Sequence, residues 1–148
     1  CSHNLIYWRT QSYLGIGPGA HSYFPSYRFF NLDSPKEYIR RLTGNALNSI
    51  VYTTESLSEI ISKVPVVESV ESVNQRTQMA ETLMLGLRLD TGVNLDEFVR
   101  RFDVYPEQVY GDIFNNFMEL GLLDISDGSL KLTRRGRLLG NEVFARLF

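Results

Sequence analysis

The stretch from Asn94 to Thr133 constrains the fold more than any other, because each junction in it carries its own local signal. Asn94 stands where a helix N-cap is wanted, ahead of Leu95 to Phe102. Pro106 opens a run that reaches Leu120, and Gly121 follows in the C′ position. Ser126-Asp127-Gly128 then separates Leu122 to Ile125 from Leu130 to Leu132, which is the pattern of a tight β-hairpin. Upstream, Met79, Leu83, Met84 and Leu87 recur at helical spacing, so an amphipathic helix is predicted over 76–89, closed near Thr91-Gly92. Thr133 caps a terminal helix carrying Leu138, Leu139, Val143, Phe144 and Leu147.

Helix, helix, helix, two-stranded wing, helix is the order of a winged-helix module, and such modules often read DNA. Phosphate contacts by Lys and Arg supply most of that affinity. The third helix, Pro106 to Leu120, carries Glu107, Asp112 and Glu119 and no basic residue. Arg134, Arg135 and Arg137 follow the wing, where a charge run more often solvates a face than grips a partner. The module is expected to be an interaction or lid element with no nucleic-acid partner.

The remaining length splits by charge. Residues 1–53 carry a net +3, residues 54–75 a net −3, and residues 76–148 a net −2, so no strongly basic domain is present. The single cysteine cannot close an internal disulfide, as expected of a reducing compartment. No apolar run approaches the roughly 20 residues that span a bilayer, and the cytoplasm is the expected location. The chain begins without an initiator methionine and is expected to be part of a longer protein.

The first third is aromatic and glycine-rich, with eight of eighteen aromatics before residue 31. Tyr13-Leu14-Gly15-Ile16-Gly17 is predicted to be a short buried strand, stopped by the tight loop at Pro18-Gly19. Ser34-Pro35-Lys36-Glu37 starts a helix that Gly44 ends, and Thr54-Glu55-Ser56-Leu57 starts another that runs through Ile61. Lys63 to Asn74, rich in Val, Glu and Ser around Pro65, looks like a linker.

Two motifs in this third carry chemistry. His3, Tyr7 and Trp8 meet around a tight or helical turn, setting an imidazole beside two flat rings, an arrangement compatible with haem iron and the porphyrin plane. Core aromatics with an unrelated histidine are the competing reading. The loop Gly15-Ile16-Gly17-Pro18-Gly19-Ala20 has G-x-G-x-G spacing instead of G-x-G-x-x-G, and Pro18 and Pro25 spoil the helix a dinucleotide would need. Bare glycines there either admit a planar ligand to the backbone or serve a tight turn. Ser2, Ser12 and Ser22 have no supporting His and Asp pattern, and no catalytic residue is assigned.

Taken together, His3-Asn4-x-x-Tyr7-Trp8, Tyr13 to Ser22, Arg28 with Asn31 and Tyr38, Glu81 with Leu85-Gly86-Leu87-Arg88-Leu89 and Gly92, Gly121-Leu122-Leu123, and Leu132-Thr133-x-x-Gly136-Arg137 with Asn141 fall in a family order. The chain resembles the carboxyl-terminal part of oxygen-independent coproporphyrinogen III oxidase-like proteins of the radical S-adenosylmethionine superfamily. The first motif resembles the signature of their haem-chaperone branch.

The resemblance implies an α+β fold: a terminal strand-loop-helix segment of a partial (β/α) barrel, then a mainly helical winged-helix-like domain with a small β-hairpin. It implies a barrel remnant over 1–53, a linker with a short helix over 54–75, and the carboxyl-terminal domain over 76–148. By the same resemblance His3 contacts haem at its iron, with Asn4, Tyr7 and Trp8 shaping the pocket. Main chain at Gly17, Gly19 and Ala20 then lies near S-adenosylmethionine. Haem-acceptor proteins are the implied partners, and self-association of the truncated chain is expected. The alternatives are oxidative decarboxylation of coproporphyrinogen III and a non-enzymatic winged-helix module. The family's C-x-x-x-C-x-x-C triad for a 4Fe-4S cluster is absent, so this chain is expected to be inactive alone.

Overall fold

The computed structural model describes residues 2–24, 26–44 and 56–148. Cys1, Pro25 and the Thr54-Glu55 start of the second predicted helix lie outside the described residues. The chain is α+β and divides into two compact units, Cys1–Thr10 with Gln75–Phe148, and Gln11–Asn74.

In the first unit, local signals produce most elements. Helix α1 (Ser2–Trp8) ends at a left-handed Thr10, with φ 49°, and its backbone bonds continue from Arg9 to Leu5 and from Thr10 to Tyr7. Among the described elements, α2 (Pro35–Gly44) and α3 (Leu57–Ser62) belong to the other unit, and α4 (Gln75–Gly86) resumes this one. Helix α5 (Leu95–Phe102) is capped by Asn94, whose side chain accepts from the Glu97 amide at 2.8 Å. Helix α6 (Pro106–Glu119) opens on proline and closes through Leu120 into Gly121 at φ 68°.

Strands β5 (Leu123–Ser126) and β6 (Ser129–Leu132) form the expected hairpin, with Ser126 opposite Ser129. Asp127 and Gly128 both have positive φ, 52° and 67°, as a two-residue turn matched to strand twist requires. Strand β4 (Val93–Asn94) adds to β6, giving the order β4-β6-β5. The core is assembled from Leu83, Leu87, Phe98, Phe114, Leu130, Val143 and their neighbours.

The predicted terminal helix is broken into α7 (Arg134–Leu138) and α8 (Gly140–Phe144). Leu139 leaves helical geometry at φ −113° and ψ 21°, between two glycines that support helix poorly. The break carries Val143, Phe144 and Leu147 into the core and leaves Leu138 outside, 83% exposed.

The second unit holds strands β1 (His21–Phe24), β2 (Tyr27–Asn31) and β3 (Val67–Ser72), all antiparallel in the order β1-β2-β3. The expected linker over 54–75 is therefore corrected: its second half is a strand whose Val70 stands opposite Phe29. Its β-branched Val67 and Val70 suit pleated pairing, while Glu68 and Glu71 charge an edge that would otherwise invite another strand. The predicted boundary at residue 53 is likewise not where the units divide, since residues 1–10 group with 75–148.

The expected buried strand Tyr13 to Gly17 is also corrected. Only Tyr13 bridges to β1, at Tyr23, while Leu14 and Ile16 are 62% and 86% exposed. Among the described residues the run makes this single bridge and so is not a strand. Helix α2 begins after Ser34, which accepts from the Glu37 amide at 3.4 Å, as the Ser-Pro start predicts. Arg40, and then Arg41, hold the Glu37 carboxyl down at about 2 through hydrogen bonds, and Arg41 also donates to the Pro65 carbonyl at 3.2 Å.

Candidate functional site

Each unit carries one of the sequence-predicted motifs. Helix α1 sorts its own residues by side. Leu5 and Ile6 are half-buried, whereas Asn4, Tyr7 and Trp8 are exposed, Tyr7 by 42% and Trp8 by 37%. At 100° per residue, positions 3, 4, 7 and 8 occupy one arc of about 140°, and positions 5 and 6 the other side. The two unspecified positions of H-N-x-x-Y-W are thus the ones the helix turns toward protein. The backbone places His3 in the first turn of α1, one turn before Tyr7.

The end of α1 is tied down by side chains. The Thr10 hydroxyl meets the Thr82 hydroxyl of α4 at 3.1 Å, and Thr82 itself donates to the Gln78 carbonyl at 2.7 Å. The Arg101 guanidinium of α5 donates to the same Thr10 hydroxyl and lies 5.0 Å from the Phe102 ring centre. Gln75 bonds the Phe102 carbonyl at 2.9 Å, joining the start of α4 to the end of α5. The aromatic arc therefore sits on a braced helix. Local propensity alone does not hold a seven-residue helix in water.

The glycine loop of the other unit is held from inside. Buried Asn31 donates its amide to the Gly15 carbonyl at 3.4 Å and the Gly17 carbonyl at 3.0 Å, and its own N–H donates to the Ala20 carbonyl at 3.0 Å. Buried Ser22 accepts from the Gly15 amide at 3.0 Å. Gly17 N–H donates to the Tyr38 hydroxyl at 3.3 Å, Gly19 N–H to the Leu32 carbonyl at 2.9 Å, and Ala20 N–H to the Gly17 carbonyl at 3.4 Å.

The three amides expected near a cofactor are thus already committed within the protein. A planar ligand at this loop would meet carbonyl oxygens and van der Waals surface; a Cβ built on Gly17 meets nothing within 4 Å among the described residues. At Gly15 a Cβ would fall 2.2 Å from the His21 carbonyl, so this glycine serves the close passage of two backbones. His21 pairs with Phe30 across the strands, ring centres 5.3 Å apart, which gives it a packing partner. The motif reading named Ser22, Asn31 and Tyr38 but gave them no role; the structure makes them the clamp that holds the loop.

The donor set does not fit an iron-sulfur cluster. The sequence has one cysteine, and among the described residues no group of three His, Cys, Asp or Glu is close enough to hold a metal.

Residues 73–139 match the family model described as the HemN C-terminal domain. The chain is 30% identical over 142 residues to the heme chaperone HemW of Bacillus subtilis, covering 96% of this chain and 33% of that protein. Against the heme chaperone HemW of Mycobacterium tuberculosis it is 31% identical over 147 residues, 99% of this chain and 31% of the relative. A Dictyostelium discoideum relative named radical S-adenosyl methionine domain-containing protein 1, mitochondrial, is 27% identical over 164 residues, with 98% and 34% covered. Among solved structures, the Escherichia coli coproporphyrinogen III oxidase HemN, a radical SAM enzyme, superposes with a TM-score of 0.56 at 14% identity. That likeness spans 93% of this chain and 28% of the oxidase, and is one of fold alone.

Fold and matched domain together define an α+β chain that carries a HemN C-terminal domain. Over residues 73–139 the chain belongs to the HemN C-terminal domain family, and over nearly its whole length it aligns with relatives named heme chaperones. It spans about a third of the length of the curated relatives it matches.

Proposed function

We propose that this chain is the carboxyl-terminal portion of a cytoplasmic haem chaperone, and that α1 presents haem-binding residues. In this reading His3 supplies an imidazole nitrogen to haem iron, Tyr7 and Trp8 lie against the porphyrin, and Asn4 borders it. The supporting observation is the sorting of α1: the residues the motif specifies lie on one arc, of which Asn4, Tyr7 and Trp8 are exposed, and those it leaves open are half-buried. Relatives named heme chaperones align over nearly the whole chain, whereas the oxidase shares 14% identity, so the chaperone reading is preferred to decarboxylation of coproporphyrinogen III.

The other motifs take supporting roles. Main chain at Gly17, Gly19 and Ala20 would border S-adenosylmethionine in a longer parent, with the cluster cysteines supplied from outside this sequence. The order α4, α5, α6, hairpin, α7 supports the winged-helix reading of the matched domain. Its α6 carries no cation, which argues for a protein or lid role over nucleic acid. Cargo would pass to haem-acceptor proteins. Exposed Leu14, Ile16 and Ile39 favour self-association of the isolated chain at high concentration.

Haemin titration of the chain, followed by absorbance, tests the reading. A saturable Soret shift is expected for the native sequence, with affinity reduced at least tenfold and the spectrum altered in His3→Ala. Identical affinity and spectrum in the variant would remove His3 as the ligand.

A further inference from the structure

We propose that the outer face of α7, with Leu138 at its summit and Arg134, Arg135 and Arg137 around it, is a docking surface for an anionic lipid bilayer. The proposal is independent of the haem reading and concerns a face that the α1 arc does not use.

Charge is unevenly placed in this chain. From Gly128 to Phe148 there are five cations, Lys131, Arg134, Arg135, Arg137 and Arg146, against the single acid Glu142, although the whole chain is net −2. The packing of α7 decides which side the cations occupy. Gly136 is buried, and a Cβ there would fall 1.9 Å from the Leu122 carbonyl, so α7 lies against the start of the hairpin through that position. At 100° per residue, Arg134 and Leu138 both stand about 160° round from Gly136, with Arg135 and Arg137 about 100° away on its two sides. The helix therefore holds Leu138 outward, 83% exposed, with exposed arginines on either side of it.

The three arginines are not equally engaged. Arg135 donates to the Leu120 carbonyl at 3.2 Å, which sets a second exposed leucine beside the cations. Glu119 precedes Leu120, so the cationic face is centred on α7 and not on the end of α6. Arg137 pairs with the exposed carboxylate of Asp90, and a pair so open to water exchanges readily for another anion. Arg134 has no hydrogen-bond or ion-pair partner among the described residues.

The shape of the face separates its conceivable occupants. A second copy of the chain would set arginines against arginines. A nucleic acid would neutralise the cations, but its phosphate backbone offers no apolar layer for a leucine at their centre. A stable protein partner needs roughly 800 Å² on each side, whereas this is one convex turn of helix. An anionic bilayer supplies phosphates at the level of the guanidinium groups and an acyl boundary beneath them for Leu138, and it needs no matching pocket. The plain alternative is a solvated charge run with a stray leucine, which predicts no binding and no role for Leu138.

The test is co-sedimentation of the 148-residue chain, without haem, with vesicles of equal parts phosphatidylglycerol and phosphatidylcholine, or of phosphatidylcholine alone. Partition to the anionic vesicles should exceed that to the neutral ones by about tenfold or more, and should fall as salt is raised. Leu138→Ser and Arg134→Gln should each weaken anionic partition by at least about threefold with the urea midpoint unchanged, and Arg134→Lys should keep most of it. Ile16→Ser, which removes an exposed apolar side chain from the other unit, serves as the control and should leave partition as it was. Equal partition to both vesicle types, no partition to either, or anionic partition undiminished in Leu138→Ser would overturn the proposal. So would a loss in Ile16→Ser as large as that in Leu138→Ser. Retention by a DNA duplex in place of vesicles, insensitive to Leu138→Ser, would overturn it in favour of nucleic acid.

Discussion

Tyr110 is 2% exposed, and its hydroxyl, like the Oε2 of Glu107 one turn earlier in α6, has no hydrogen-bond partner among the described residues. A buried polar group without a partner costs about 1–3 kcal/mol, so removing the hydroxyl should not hurt the fold. Tyr110→Phe is expected to leave urea-induced unfolding unchanged or raise stability by up to about 1 kcal/mol. Burial raises the Tyr110 pKa, with Arg76 opposing, so the neutral form is favoured in the folded chain. A raised folded pKa contributes stability that is present below the ordinary tyrosine range and lost as pH rises through the folded value. Denaturation at successive alkaline pH values should therefore show a steeper loss in the native chain than in Tyr110→Phe. A clear loss of stability in the variant at neutral pH would show that the hydroxyl has a partner after all.

Among the elements, those that could be read from sequence were the ones specified by neighbours in the chain. Asn94 before α5, Pro106 in α6, and Asp127-Gly128 between β5 and β6 act within four residues of themselves, and all three appear as expected. Strand β3 could not be read this way, because V-E-S-V-E-S becomes a strand only through β2, some forty residues earlier. The same limit applies to the site. H-N-x-x-Y-W was legible as a motif, but the inward role of Leu5 and Ile6 depends on α4 and its neighbours, and the Asn31 clamp on a contact back across the loop. Glycines within helices show the local and the distant effects with opposite signs. At Gly136 a Cβ would lie 1.9 Å from the Leu122 carbonyl, so Gly136→Ala must push α7 off the hairpin and should cost about 1–3 kcal/mol. Gly111, inside α6 with nothing within 4 Å among the described residues, should instead gain about 0.5–1 kcal/mol on replacement by alanine. Paired urea titrations check both, and a gain at Gly136 would mean the close approach of α7 to Leu122 is not what holds the glycine there.

At the scale of the molecule, the two units have unequal means of holding themselves together. Among the described residues, twenty-two apolar side chains are buried, and seventeen of them form the single cluster in the unit of α4 to α8. The other unit keeps Tyr23, Phe29, Ile61, Val66 and Val73, while exposing Leu14, Ile16 and Ile39. Fully burying one such side chain is worth roughly 1.5–3 kcal/mol, and a unit of this size buries proportionally less surface than a larger one. The sheet β1-β2-β3 should therefore open by local fluctuation well before global unfolding. Native-state hydrogen exchange read by NMR gives the measurement. Amides in α4, α6 and β6 should exchange only through near-global opening. Those of β1 and β2 should exchange at a free energy lower by at least about 2 kcal/mol, with Gly17 and Gly19 earlier still because their bonds run to single partners at the loop. Equal protection of Phe29 and Leu130 would show that the smaller unit draws on stabilising contacts beyond its own five buried side chains.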